Sequence, residues 1–174
     1  MATAAAATDS ESSRSQHAEQ RPESVTVENR RETEKARFRA AFEAIPPGAA
    51  YSWRRTFTEG DVTAFCGVTG DFNPYHLDEE FATGSRFGRR IVPGLLTASM
   101  CTHVGGLLGI LASDMHFDYL APVFVGDTVT CTVRFTDRDE TRLRLGGEVS
   151  CVNQDGREVL RGGFRGVAAQ VRLR

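Results

Sequence analysis

Apolar and polar positions alternate through the C-terminal half of the chain. Val129, Cys131, Val133 and Phe135 interleave with Thr128, Thr130, Thr132 and Arg134 across Asp127–Phe135. Leu143, Leu145, Val149 and Cys151 interleave with Arg142, Arg144, Glu148 and Ser150 across Arg142–Cys151. A period of two turns one face of a strand to a core and the other away from it. Asp155-Gly156 is a hairpin turn and predicts a last strand from about Glu158 to Val171. His116 begins a further strand, and Tyr51–Phe57 reads as the first. Upstream the period changes. Phe38, Ala41, Phe42 and Ile45 fall at i, i+3, i+4 and i+7, which predicts an amphipathic helix over Asn29–Ile45, stopped by Pro46-Pro47-Gly48. Thr58 is an N-cap for a short helix through Val68, with Glu59 and Asp61 in its first turn. Gly70 to Gly88 is loop-rich, with one short helix near Asp78–Thr83. Pro93-Gly94 opens a helix running to Gly109 that is apolar nearly all round, hence expected to be buried. A strand, a buried helix and a run of strands describe an α+β fold, an antiparallel sheet wrapped over a central helix.

Three segments follow: a tail over residues 1–27, an amphipathic helix and linker over 28–50, and a folded domain over 51–174. The tail is rich in Ala, Ser, Glu, Gln and Thr and is expected to be disordered. It lacks the basic start and apolar core of a secretory signal, and Asp9, Glu11, Glu19 and Glu23 are unlike a transit peptide, so a cytoplasmic protein is expected. With 174 residues the chain holds one domain with a real core. Its net charge of −2 argues against nucleic acid or an anionic membrane as partner. No apolar run approaches the roughly 20 residues of a membrane span. Cys66, Cys101, Cys131 and Cys151 form no CxxC pair, so neither metal nor disulfide is expected and buried small hydrophobes are. The only lysine, Lys35, precedes the domain, which excludes a Walker A lysine, Schiff-base chemistry and attachment of pyridoxal phosphate.

Candidate chemistry concentrates in Gly70-Asp71-Phe72-Asn73-Pro74-Tyr75-His76. Gly70, Asn73 and Pro74 argue against regular helix or central strand here. The segment is read as a loop presenting a carboxylate and an imidazole five residues apart. Pro74 holds Asn73 extended and stiffens the stretch between them. A carboxylate is ionised at neutral pH and an imidazole sits near its midpoint, so the two can hold a water and move protons to and from a small molecule. The competing reading is Asp71 as a turn-former. The second informative stretch is Ile91-Val92-Pro93-Gly94-Leu95-Leu96. A helix start offers unpaired amides, and glycine admits a carbonyl close to them, as an oxyanion hole requires. Plain helix initiation beside close packing explains the same residues.

The run Phe65-Cys66-Gly67-Val68-Thr69-Gly70-Asp71-Phe72-Asn73-Pro74-Tyr75-His76-Leu77-Asp78, followed by Ile91–Leu96 and by Leu120-Ala121-Pro122-Val123-Phe124-Val125-Gly126-Asp127, resembles the hydratase-2 signature of the MaoC-like family. The resemblance covers about Tyr51 to Val171 and implies a hot-dog fold, usually dimeric. It also implies reversible syn addition of water to a trans-2-enoyl thioester, giving an (R)-3-hydroxyacyl product. On that basis Asp71 and His76 are the catalytic pair and the Gly94 amide polarises the thioester carbonyl. Asn73, Ser99 and Thr102 are candidate substrate contacts, though hydroxyls bonded back to their own helix describe Ser99 and Thr102 equally well. No cofactor is implied beyond coenzyme A or an acyl-carrier protein as part of the substrate. The expected partner is a second copy of the chain, with neither nucleic acid nor membrane. Many relatives carry His where this chain has Pro93, which puts substrate choice in question more than reaction type. Arg86, Arg89 and Arg90 form a basic cluster that could meet coenzyme A phosphates or an acidic carrier protein, or lie solvated in a loop.

Other features carry less. His103 is read as a hydrogen-bonded core residue, and His17 lies in the tail. Gly105, Gly106 and Gly109 close a helix and make no dinucleotide fingerprint. The alternative function is a non-catalytic, acyl-thioester-binding hot-dog subunit of a heterodimeric dehydratase. Such a subunit would be expected to lack Asp71 or His76, and this chain keeps both. A hot-dog thioesterase would usually place an acid on the central helix, and Gly94–Gly109 has none.

Overall fold

The computed structural model describes residues 27–169. The expected disorder of the tail therefore lies outside the described residues, as do residues 170–174 and His17. Helix α1 spans Val27–Glu43. Among the described residues its burial is concentrated at the C-terminal end: Phe42 and Ile45 are buried and Phe38 and Ala41 half-buried, the face that the spacing predicts. Each buried side chain of this size contributes about 1.5–3 kcal/mol. Arg138 lies over the Phe42 ring at 4.0 Å and donates to the Ile45 carbonyl, fastening the helix end to the sheet.

Strands β1 (Ala50–Thr56), β2 (Ile110–Tyr119), β3 (Thr128–Asp139), β4 (Arg144–Asn153) and β5 (Glu158–Ala168) form one antiparallel sheet in the order β1-β3-β4-β5-β2. Val129, Cys131, Val133 and Phe135 of β3 and Leu145, Val149 and Cys151 of β4 face the core, as the alternation predicts. The sheet is tightly curled. Register shifts interrupt β3 against β4 near Phe135 and β2 against β5 near Ala112. At Gly147, Gly162 and Gly166 a Cβ would collide with the carbonyl oxygens of Arg134, His116 and Leu111. Glycine lets the backbones approach at such bends.

Inside the curl lie α5 (Gly94–Ala98) and α6 (Cys101–Leu108). Sequence periodicity predicts one unbroken, fully buried helix, and the structure corrects both points. The helix breaks at Ser99–Met100, where the Trp53 indole donates to the Met100 carbonyl at 2.7 Å. Only one face meets the sheet. Thr97, Ala98, Met100, Cys101 and Val104 are buried, whereas Leu95 and Leu107 are more than half exposed. His103 is likewise exposed, stacked on Trp53 at 4.2 Å, and is not a core histidine. Strand β2 starts at Ile110, six residues before the predicted His116, directly after the left-handed cap at Gly109. It is an edge strand exposed at nearly every position, so no one-sided alternation marks it. The remaining helices are α2 (Glu59–Thr69), α3 (Pro74–Leu77) and α4 (Glu79–Thr83), which lie between β1 and the central helix in the chain. The α2 start is the expected one: Thr58 and Asp61 close a reciprocal capping box. The whole is an α+β hot dog, one sheet wrapped around a central helix. Among the described residues no helix is long and apolar enough to cross a membrane.

Candidate active site

The segment bearing Asp71 and His76 is built by local hydrogen bonds. Gly70 ends α2 in the left-handed region, φ 75°, with its amide on the Cys66 carbonyl. The Asp71 amide donates to Thr69 Oγ1 at 3.3 Å, and Asp71 Oδ1 accepts from the Asn73 amide at 3.4 Å. Asn73 Oδ1 in turn accepts from the Tyr75 amide at 3.2 Å, and Pro74 occupies the first turn of α3. The residues read from sequence as keeping helix out therefore start a short one: Asn73 caps it and Pro74 opens it. His76 sits on that turn. Asn73 is placed as a cap, with its carbonyl oxygen committed to the backbone.

His76 is buried and its Nδ1 meets the Ile91 carbonyl at 2.8 Å. A carbonyl can only accept, so Nδ1 carries a hydrogen and Nε2 is the ring atom free to take or give a proton. Nε2 stands 3.7 Å from Asp71 Oδ2, too far for a direct hydrogen bond and close enough for both to touch one water oxygen. The Asp71 side chain is 45% exposed, so the pair opens outward. Tyr75, wedged edge-on between Phe81 at 4.9 Å and Phe87 at 5.6 Å, holds α3 against the loop that follows. Beneath the site, burial first and the Asp71 charge second push the Cys66 thiol above its ordinary range, keeping it neutral.

Ile91 links the pair to Gly94. The Ile91 amide donates to the Tyr75 carbonyl at 3.0 Å and the Val92 amide to the Val123 carbonyl at 2.7 Å, which fixes Pro93 and Gly94 against the 120–127 strap. Gly94 stands at the first position of α5, so its amide is outside the helix ladder. The helix is only five residues long, and its dipole adds little. A Cβ at Gly94 would lie 2.8 Å from the ring of Tyr119, so the half-exposed tyrosine would have to move aside for any larger residue. Ser99 and Thr102 hydroxyls donate back to Leu96 and Ser99 carbonyls at 2.7 and 2.6 Å.

The three arginines separate. Arg90 is clamped by Glu59 and Glu79, which together take three of its five N–H donors and neutralise its charge. Arg89 stacks on Phe124 at 3.9 Å, with Nη2 4.0 Å from Asp127. Arg86 stacks on Phe87 at 4.7 Å, with no carboxylate in ion-pair range among the described residues. Arg86 lines a cavity of about 270 Å³ together with Ile91, Gly94, Thr97 and Tyr119. Thr97 is the residue sequence reasoning missed. Its only signal is a hydroxyl on the inner face of an apolar helix. In the fold it is 3% exposed, and its hydroxyl has no partner among the described residues.

Residues 45–153 match the family described as MaoC like domain. The chain is 36% identical over 99 residues to an (R)-specific enoyl-CoA hydratase of Rhodospirillum rubrum, covering 55% of this chain and 69% of that protein. It is 32% identical over 123 residues to a 3-hydroxybutyryl-CoA dehydratase of Methylorubrum extorquens, covering 68% and 77%. The solved (R)-hydratase from A. caviae, involved in PHA biosynthesis, superposes with a TM-score of 0.70 at 30% identity, over 74% of this chain and 99% of that one. This chain therefore belongs to the MaoC-like family.

Proposed function

We propose that the chain is an (R)-specific enoyl-thioester hydratase, or works in reverse as a 3-hydroxyacyl-thioester dehydratase, with Asp71 and His76 as its catalytic pair. Its class is the coarser part: it is a hydro-lyase, as its curated relatives are. The observation that carries the finer reading is the facing of His76 Nε2 and Asp71 Oδ2 at 3.7 Å, with the opposite ring nitrogen fixed by Ile91. A water touching both groups is held against one face of a bound enoyl thioester. One group takes its proton as the oxygen adds to the β-carbon. The other returns a proton to the α-carbon on the same face, and both hydrogens are accounted for. The Gly94 amide accepts the charge that develops on the thioester oxygen. Positioning the water and acyl chain in one site supplies the rest of the rate.

The surroundings support an acyl thioester. An apolar cavity of about 100 Å³, lined by Cys101, Thr102 and Gly105 of α6 and by Val133, Phe135 and Phe164 of the sheet, offers room for part of an acyl tail. Among the described residues no strand pairs with the outer backbone of edge strand β2, and Leu111, Met115 and Tyr119 are exposed along it. A second copy of the chain covers that edge in this reading, and sedimentation of the purified protein as a dimer is the expected result. The function is tested by the loss of crotonyl-CoA absorbance with chiral analysis of the product. Turnover to the (R) alcohol is expected; a folded dimer that turns over neither coenzyme A nor carrier-protein thioesters would overturn the reading.

A further inference from the structure

We propose that the cavity beside Gly94 holds the pantetheine arm of the thioester, with the Thr97 hydroxyl bonding an amide of the arm and Arg86 meeting its phosphate at the mouth. This rests on the acyl-thioester reading and goes beyond it by assigning two residues outside the catalytic pair. Among the described residues the Thr97 hydroxyl is orphaned. Ser99 and Thr102, on the same helical stretch, satisfy theirs by bonding back to the backbone. Thr97 is more deeply buried and does not. A buried hydroxyl without a partner is costly, and a valine of the same shape would avoid the cost, so a purely structural role leaves the residue unexplained.

The walls of the cavity combine apolar side chains at Ile91, Val123 and Tyr119 with substantial polar surface, and at about 270 Å³ it falls below the roughly 300–1,000 Å³ of a complete ligand pocket. It therefore accommodates one narrow stretch of a larger molecule. A chain of methylenes interrupted by amides has that character, since a hydroxyl can donate to an amide carbonyl or accept from its N–H. At the mouth, Arg86 is exposed and unclaimed by any carboxylate among the described residues, whereas Arg90 is pinned by two. A guanidinium stacked on Phe87 keeps its N–H edges available to a phosphate. The arm so placed ends at Gly94 and Ile91, the residues that position the thioester carbonyl and orient His76.

The test measures KM and kcat for the wild type, Thr97→Val, Thr97→Ser and Arg86→Gln on crotonyl esters of ethanethiol, pantetheine and coenzyme A. Thr97→Val should raise KM about 3- to 10-fold for the pantetheine and coenzyme A esters, leave the ethanethiol ester unchanged, and not lower the melting temperature. Thr97→Ser should restore KM. Arg86→Gln should raise KM about 3- to 10-fold for the coenzyme A ester alone, and less at high salt. A Thr97→Val enzyme with unchanged KM for crotonyl-pantetheine, or with the same change on all three esters, overturns the proposal while leaving the hydratase reading intact. Calorimetric binding of crotonyl-pantetheine separates the two claims. Binding without turnover in the wild type, weakened about 3- to 10-fold in Thr97→Val, overturns the hydratase reading and supports the arm site. Neither binding nor turnover overturns both.

Discussion

Of the chain's three Gly-Asp steps, Gly60-Asp61 lies inside α2, Gly70-Asp71 follows from the end of that helix and Gly126-Asp127 leads into β3; the last two invite comparison. Both glycines take a positive φ, 75° and 94°, and both follow a β-branched residue. The carboxylates then part company. Asp127 is buried and satisfied. Its Oδ2 accepts from the Phe124 amide at 2.9 Å and its Oδ1 from Gln154 Nε2 at 2.9 Å, with Arg89 at 4.0 Å. Asp71 is half-open, with one long bond from the Asn73 amide and an imidazole 3.7 Å away. The first holds the strap that positions Val92 and Gly94; the second has bonding capacity left for a substrate or water. The same dipeptide, with a positive-φ glycine in both places, thus does opposite work, and hydrogen-bond accounting tells the two apart where the dipeptide alone does not.

The largest effect should fall on the open pair. Asp71→Asn and His76→Gln are each expected to lower kcat about 10²- to 10⁴-fold with the melting temperature little changed. A loss under tenfold in either would break the contrast. Asp127→Ala should do the reverse, lowering stability by about 1–3 kcal/mol in urea unfolding while folded molecules keep their kcat. A third effect comes from the sealed core. Burial first, then the neighbouring Cys151, pushes Cys101 up to about 11, against about 8.5 for an exposed thiol. A folded pKa above the unfolded one stabilises the fold wherever the thiol is protonated. That stabilisation is complete below pH about 8.5 and lost as pH rises toward about 11, by roughly 3 kcal/mol. Thermal melts across this range should show the decline, and Cys101→Ala should lessen it without abolishing it, because a hydrogen bond with Cys151 and burial also push the Cys131 thiol up. The smallest effect belongs to Arg90→Gln. Releasing the clamp on Glu59 and Glu79 should cost under about 1 kcal/mol and leave KM unchanged, in contrast to Arg86→Gln.

Much of this was legible in residues alone. The alternation through β3 and β4 and the 3.6-period stripe ending at Ile45 are properties of single elements, and they survive folding. Asp71 and His76 could be paired on paper because five residues separate them. What stayed hidden depends on partners distant in sequence. The central helix breaks where Trp53, 47 residues upstream, takes the Met100 carbonyl. Three arginines within five positions look alike until Glu59 and Glu79 claim one of them. Strand β2 carries little pattern because an edge strand in a single chain has almost no buried face. Thr97 is an ordinary helical threonine in sequence; only the absence of a bond in three dimensions marks it.

The most direct test of the catalytic claim is hydration of crotonyl-CoA in heavy water, followed by stereochemical analysis of the product at both carbons. A pair working on one face of the substrate predicts a single deuterium at the α-carbon, added from the same face as the hydroxyl, and the (R)-specific reading adds an (R) hydroxyl at the β-carbon. An anti product, an (S) alcohol, or an α-carbon without solvent deuterium would contradict it.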